Sequence, residues 1–183
     1  MRIAKTALGI AILGGLLFSG ASAFGATAPT GGTIKVFDVP SGTGTGGTIV
    51  ITGAIGDYGK SVSSNAAGKP SKKGNYELLS LKKGTILVNS TQFNEATNSA
   101  SPTDFSAASC SGTVVASAPA AVVSGTKAYA GITGSVSLTA TFAFVGPFYS
   151  SGSKKGECNT SNNAPTPPGF FGLITGTGTV SFG

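Results

Sequence analysis

The side chains of this chain that could do chemistry are a few carboxylates and tyrosines. The sequence contains six acidic residues, four tyrosines and no histidine. Without histidine, Ser-His-Asp triads, Cys-His pairs and histidine-based metal sites are excluded, and no carboxylate spacing matches a calcium-binding loop. We therefore expect no metal and no other cofactor. Any catalysis would have to use a carboxylate assisted by tyrosine.

Two carboxylates are the candidates for a functional site. Asp57 continues the period-two apolar pattern that ends at Ile55, and Glu77 shares a strand face with Leu79, so each could lie beside an apolar interior. There a carboxyl group would have a raised pKa and could act as acid or base. Three tyrosines complete the predicted cavity set: Tyr58, Tyr76 and Tyr129. Alternatively, Gly-Asp-Tyr-Gly is a plain turn and Glu77 is a solvated strand residue, so no residue is assigned a catalytic role.

The N-terminus predicts export. Arg2 and Lys5 precede an apolar run from Ala7 to Phe18, and Ala21-Ser22-Ala23 has the small-x-small pattern that signal peptidase cleaves. The run is too short to span a bilayer, and no later segment is long enough, so we expect no integral membrane segment in the mature chain. The alternative is a buried core helix. We predict a signal peptide over residues 1–23, cleavage at Ala23-Phe24, and a secreted or cell-envelope protein.

The mature chain has the size of one domain. Removal of 23 of the 183 residues leaves 160, which we divide into a flexible arm over 24–32 and a single domain over 33–183. Cys110 and Cys158 are the two cysteines. In an exported protein they predict one disulfide, closing a loop of about 49 residues and contributing about 4 kcal/mol. The alternative, a reactive thiol, needs a base or cation to activate it.

The charge of the mature chain is mildly basic. Removing Arg2 and Lys5 from 12 cations leaves 10 against 6 acids, a net charge of +4. The lysines occur as pairs next to Gly or Pro, as in Lys72-Lys73 and Lys154-Lys155. Nucleic-acid-binding proteins instead concentrate cations on one surface and add stacking aromatics. We therefore expect no nucleic-acid partner, and solvated lysines that keep strand ends from associating.

Alternating hydrophobicity predicts an all-β fold. From Ser135 to Phe142 apolar residues alternate with Ser and Thr, and in the segment Phe170 to Phe182 apolar residues or glycine alternate with Ser and Thr from Ile174 onward. No persuasive helix follows the signal peptide. Eight strands are predicted, at 33–39, 48–55, 76–81, 85–93, 111–118, 120–124, 134–145 and 170–182. Eight strands suit an antiparallel barrel with a filled interior or one small ligand, and a Greek-key sandwich is the alternative that periodicity does not separate.

One segment carries a family resemblance. Val122 to Gly134 (VVSGTKAYAGITG) resembles the G-T-G-x-Y/F-x-G-x-x-G strand–turn–strand signature of the allene oxide cyclase and dirigent-like barrels. Thr48 to Gly59 is similar to the second strand of bacterial members, and Gly176 to Phe182 fits a terminal barrel strand. The chain departs at Lys127, where the family usually has glycine. The mature chain also resembles a set of small secreted actinobacterial proteins. The family resemblance implies an eight-stranded antiparallel barrel, often oligomeric, with a ligand-sized apolar interior.

Three functions remain open at this point. The first is an exported, non-catalytic barrel that binds an apolar small molecule or a surface partner, which the scarcity of catalytic side chains favours. The second, implied by the resemblance, is an isomerase or cyclase that guides closure of a reactive intermediate without a metal. The third is a structural or adhesive envelope protein. A homo-oligomer is compatible with all three.

Overall fold

The computed structural model describes residues 30–41, 46–161 and 163–183. The predicted signal peptide, its cleavage site and residues 24–29 of the predicted arm lie outside these residues. The strands are β1 Gly32–Pro40, β2 Gly46–Gly53, β3 Asp57–Ser64, β4 Tyr76–Leu81, β5 Gly84–Asn89, β6 Ser111–Gly125, β7 Ile132–Val145 and β8 Gly169–Phe182. One α-helix, α1 Thr91–Ser99, follows β5, and a short 3₁₀ turn, Lys127–Tyr129, precedes β7.

The eight strands form a closed antiparallel barrel. Each strand pairs with the next along the chain, and β8 pairs with β1 to close the sheet. This confirms the predicted eight-stranded barrel and excludes the Greek-key sandwich. Closure removes the free sheet edges that so many β-branched residues would otherwise expose.

The alternating patterns of β7 and β8 decide which faces point inward. Val136 and Val180 are buried in the barrel core, whereas Ser137, Thr177 and Thr179 are exposed. The predicted inner and outer faces are therefore confirmed for these two strands. The core also draws on residues of the other strands: Ile34, Ile49, Ile51, Leu79, Ile86 and Val122.

Strand β3 is absent from the predicted strands, which leave out residues 56–75. Its inward-facing positions are Asp57, Gly59, Ser61 and Ser63, so the strand has no apolar face to reveal it. The predicted number of strands, eight, is nevertheless correct, because one strand was left out and another was counted twice. Residues 111–118 and 120–124 are one strand, β6, rather than two.

Pro119 does not interrupt β6 because of where it lies. The ladder between β5 and β6 ends at the pair Asn89–Ala121, and beyond it β6 continues to pair with β7, with Pro119 opposite Ser137. At Pro119 no described strand pairs on the β5 side, so β6 is an edge on that side, and edge positions are where strands accommodate proline. Proline is therefore tolerated inside a long strand here.

Helix α1 corrects the expectation that no helix follows the signal peptide. Its first three residues fall in the predicted strand 85–93 and the others outside every predicted strand. Phe93 is the one buried residue of the helix. A nine-residue helix with a single buried anchor has no amphipathic stripe to recognise. Its stability must come from packing rather than from its own sequence. Of the helices in the described part of the chain, none has the length and apolar content needed to cross a membrane.

The cysteine pair forms the predicted disulfide. Cys110 and Cys158 are bonded, with Cα atoms 5.2 Å apart. Cys110 directly precedes β6 and Cys158 lies in the long connection between β7 and β8, so the bond fixes that connection to the barrel. Backbone hydrogen bonds from Gly146 to Cys110 and from Asn159 to Pro147 hold the same region.

The two ends of the barrel differ. The turns β2–β3, β4–β5 and β6–β7 lie at one end, where Ile55, Tyr129 and Ile132 are at most 2% exposed. We call this the closed end. At the other end, which we call the open end, β1 ends and β2 begins, and the β3–β4 connection, helix α1 and the disulfide-bonded connection lie there.

Candidate functional site

The barrel encloses an apolar cavity of about 620 Å³. Its floor is formed near the closed end by Ile55 and Ile132, and its walls are mainly aliphatic side chains of the strands. At the open end Phe93 and Thr97 of α1 border it from one side and Pro167 of the β7–β8 connection borders it from another. A concave, mostly apolar space of this size with few polar groups is typical of a small-molecule binding site.

Asp38 is a buried carboxylate in the wall of this cavity. It follows Ile34 and Val36 on the inward face of β1 and is 8% exposed. The Ser61 hydroxyl on β3 donates a hydrogen bond of 2.8 Å to its Oδ2, while its Oδ1 accepts no hydrogen bond. Burial raises the pKa of Asp38, and the Ser61 hydrogen bond opposes this only in part.

Gly47 makes the contact between Asp38 and Ser61 sterically feasible. Strand β2 lies between β1 and β3, and Gly47 is the β2 residue paired with Ser61. A Cβ at this position would overlap the Asp38 carboxylate and would lie 2.9 Å from the Ser61 hydroxyl oxygen. Here glycine is required by the close approach of two polar side chains across it.

Glu77 provides a second carboxylate in the same cavity. It lies on β4 opposite Ser63 of β3, whose hydroxyl is 3.4 Å from Glu77 Oε2. Burial, and secondarily the negative charge of Asp38, raise the pKa of Glu77 to about 7, against the lowering effect of Ser63. At neutral pH this group is therefore divided between its protonated and ionised forms, and the prediction of a raised pKa is confirmed for Glu77.

Asp57 serves a different purpose, at the closed end of the barrel. Tyr129 donates to its Oδ2 at 2.6 Å, the amide of Lys83 donates to the same oxygen at 2.9 Å, and the amide of Tyr58 donates to Oδ1 at 2.8 Å. One carboxylate thus joins the β2–β3, β4–β5 and β6–β7 turns. Asp57 does not line the cavity described above.

The pKa of Asp57 reflects these bonds. Burial opposes its ionisation, but the hydrogen bonds from Tyr129 and from the amides of Lys83, Tyr58 and Lys82 together hold its pKa below the usual value. The prediction of a raised pKa is therefore wrong for Asp57, because hydrogen bonds to the charged form outweigh desolvation. For Tyr129, burial and the bond to the Asp57 carboxylate raise the pKa of the phenol.

The other two predicted tyrosines lie outside the cavity. Tyr58 is 57% exposed and its ring faces the Lys82 ammonium at 5.5 Å on the outer surface. Tyr76 is half-buried and precedes Glu77 on β4, so it belongs to the opposite face of that strand. Of the five predicted cavity residues, the structure places only Glu77 in the cavity wall.

Several polar residues of the cavity wall were not predicted, among them Asp38, Ser61 and Ser63. A signal existed for Asp38, because a carboxylate that continues the apolar face of Ile34 and Val36 must be buried if the strand is. For Ser61 and Ser63 no signal existed, since β3 itself was not recognised. No group of three or more potential metal ligands among His, Cys, Asp and Glu is found within the described ranges.

The chain was compared with models of protein families, with curated proteins and with solved structures, and no match was found. The resemblance to the allene oxide cyclase and dirigent-like barrels therefore stays a prediction.

Proposed function

We propose that this protein is an exported, non-catalytic barrel that binds an apolar small molecule in its central cavity. The observation that carries the proposal is the cavity of about 620 Å³, walled mainly by aliphatic side chains and continuous with the open end of the barrel. At about 30 Å³ per water-sized group, that volume holds roughly 20 non-hydrogen atoms of a ligand.

The physical argument is that a packed protein interior does not leave such a space unless something fills it. Protein cores reach the density of organic crystals, and each cubic ångström of apolar cavity lowers stability by about 0.02 kcal/mol. Small inward-facing side chains such as Ala120, 2% exposed in the cavity wall, keep the space open. An apolar ligand would restore the missing contacts.

Export is part of the same proposal. It is supported by the Cys110–Cys158 disulfide, since such bonds persist in oxidising compartments, and by the signal-peptide pattern over residues 1–23. Assembly into a homo-oligomer remains compatible with the proposal and is not required by it, because the cavity lies within one barrel.

The test is to fill part of the cavity with a larger side chain at one position of its wall. Ala120→Phe places a ring in the cavity, while Ala121→Phe places the same ring on the exposed outer face of the same strand. An uncharged fluorescent probe, N-phenyl-1-naphthylamine, should bind wild type and Ala121→Phe equally. It should bind Ala120→Phe at least about tenfold more weakly, equivalent to about 1.4 kcal/mol. Equal binding by all three proteins, or no binding by any, would reject the cavity as the site.

A second candidate, an isomerase or cyclase, is favoured by one observation. Glu77 has a pKa of about 7 beside an apolar cavity, and a carboxyl group poised near the working pH is suited to general acid–base catalysis. Turnover of an unstable epoxide would be measured with wild type and Glu77→Gln. An acceleration that Glu77→Gln abolishes would establish this function, and absence of acceleration by wild type would exclude it for that substrate class.

A further inference from the structure

The polar part of the cavity is acidic and contains no cation. Asp38 and Glu77 both line it, whereas all ten lysines among the described residues are exposed. The chain's arginine is at position 2, outside the described residues and within the predicted signal peptide. A buried negative charge without a partner is strongly unfavourable in an apolar environment, so the charge balance of this cavity is incomplete.

A second observation locates the missing partner. Asp38 is 8% exposed and belongs to the cavity wall, yet its Oδ1 accepts no hydrogen bond. Ser61 already donates its hydroxyl to Oδ2, and Gly47 places no side chain over the carboxylate. Buried polar atoms are almost always hydrogen-bonded, so the Asp38 carboxylate, which belongs to the cavity wall, lacks a donor for Oδ1 among the described residues.

We infer that the ligand of this cavity is an amphiphilic amine, with its ammonium group held by Asp38 and Glu77 and its apolar body in the aliphatic part of the barrel. This inference rests on the proposed function, which it deepens by naming the ligand class. An ammonium group supplies three donors and one positive charge. It can therefore donate to Asp38 and Glu77 together and neutralise their charge, whereas an alcohol supplies one donor and no charge.

The groups facing Glu77 determine how binding depends on pH. The residues that line the cavity beside Glu77 come from four elements. They are Asp38 of β1, Ser61 and Ser63 of β3, Ile86 and Val88 of β5, and Phe93, Asn94, Thr97 and Asn98 of α1. Among these, Asp38 is the one other ionisable group, and burial raises its pKa as well. Since the pKa of Glu77 is about 7, its ionised fraction rises about tenfold from about pH 6 to about pH 8, while an alkylamine stays protonated throughout. Amine affinity should rise with pH over this range, and affinity for an uncharged ligand should not.

The experiment uses three probes of equal chain length: decylamine, 1-decanol and decanoate, each below its self-association concentration. Their affinities are measured by displacement of N-phenyl-1-naphthylamine from the mature protein at about pH 6 and about pH 8. At about pH 8 decylamine should bind at least about tenfold more tightly than 1-decanol, and decanoate more weakly than either. The decylamine affinity should increase severalfold, up to about tenfold, between the two pH values.

Variants test whether the two carboxylates are responsible. The double variant Asp38→Asn with Glu77→Gln should bind decylamine and 1-decanol within about twofold of each other and lose the pH dependence. Glu157→Gln, which changes an exposed carboxylate, should behave as wild type. Circular dichroism checks that each variant is folded, and the wild-type pH dependence tests the inference even where a variant is not.

The outcomes separate this inference from the function on which it rests. Equal wild-type affinities for decylamine and 1-decanol, or a preference for amine that persists in the double variant, would overturn the amine assignment and leave apolar ligand binding intact. Failure of all three probes and of the fluorescent probe itself to bind would overturn both.

Discussion

Burial of Glu77 should make the protein less stable at neutral pH than in mild acid, and Glu77→Gln should remove that penalty. The pKa of Glu77 rises from 4.5 to about 7 in the folded protein, so between these pH values the folded protein holds a proton that the unfolded chain has lost. The contribution of Glu77 to the free energy of unfolding is therefore fully present below about pH 4.5 and is lost as the pH rises through about 7. Asp38, whose pKa is also raised by burial, acts in the same direction.

The magnitude follows from the size of the shift. At about 1.4 kcal/mol per pKa unit, a shift from 4.5 to about 7 corresponds to about 3 kcal/mol. Glu77 is only half-buried, and solvent screening reduces the effect to about 2 kcal/mol. Glutamine keeps the size of the side chain and an oxygen that the Ser63 hydroxyl can reach, but it carries no charge at any pH.

Urea unfolding followed by circular dichroism, with the disulfide intact, measures the effect. At about pH 8, Glu77→Gln should be more stable than wild type by about 2 kcal/mol, and at about pH 4.5 the two should agree within about 0.5 kcal/mol. The control Glu157→Gln should match wild type at both pH values. A Glu77→Gln effect that is the same at both pH values, or destabilisation at about pH 8, would refute the conclusion that Glu77 is ionised at a cost inside the barrel.

Two further predictions concern the turns at the closed end. Tyr129→Phe removes the 2.6 Å hydrogen bond to the buried Asp57 carboxylate and should lower the free energy of unfolding by about 2 kcal/mol at neutral pH, as measured by urea unfolding. A loss below about 0.5 kcal/mol would show that the backbone amides alone satisfy Asp57. Lys127 adopts a left-handed φ of 55°, so Lys127→Gly should raise the midpoint of thermal unfolding, with a gain of about 0.5–1 kcal/mol. Lys127→Ala keeps the strained backbone and should give no gain; a gain as large as that of glycine would assign the effect to the lysine side chain.

Much of the barrel could be predicted from local pattern. Apolar residues or glycine alternate with Ser and Thr from Ser135 to Phe142 in β7 and from Ile174 to Phe182 in β8. One face of each strand meets the core, so period two identified both strands and their inner faces. The position where the family signature has glycine, Lys127, does adopt a positive φ. The pairing of the two cysteines was predictable because only one pairing exists.

The candidate site was predicted less well, because its residues contact partners on other strands that are distant in sequence. Glu77 was identified from its parity on β4. Asp57 was misassigned, since its low pKa depends on Tyr129, which lies 72 residues away in sequence. Strand β3 was not predicted because its inward face is polar, so its sequence shows no alternation of apolar and polar residues.

By itself the sequence determined the all-β class, the inner faces of β7 and β8, and which reactive side chains are present: no histidine, six carboxylates and two cysteines. These follow from periodicity and composition, which are properties of each segment alone. Only the tertiary structure decided which carboxylates are buried and with what partners. Closure of β8 onto β1 creates the interior, and the pairing of β1, β2 and β3 brings Asp38 to Ser61 across Gly47. The ionisation of a carboxyl group depends on such contacts and on its distance from water, and both are set only when all eight strands have closed.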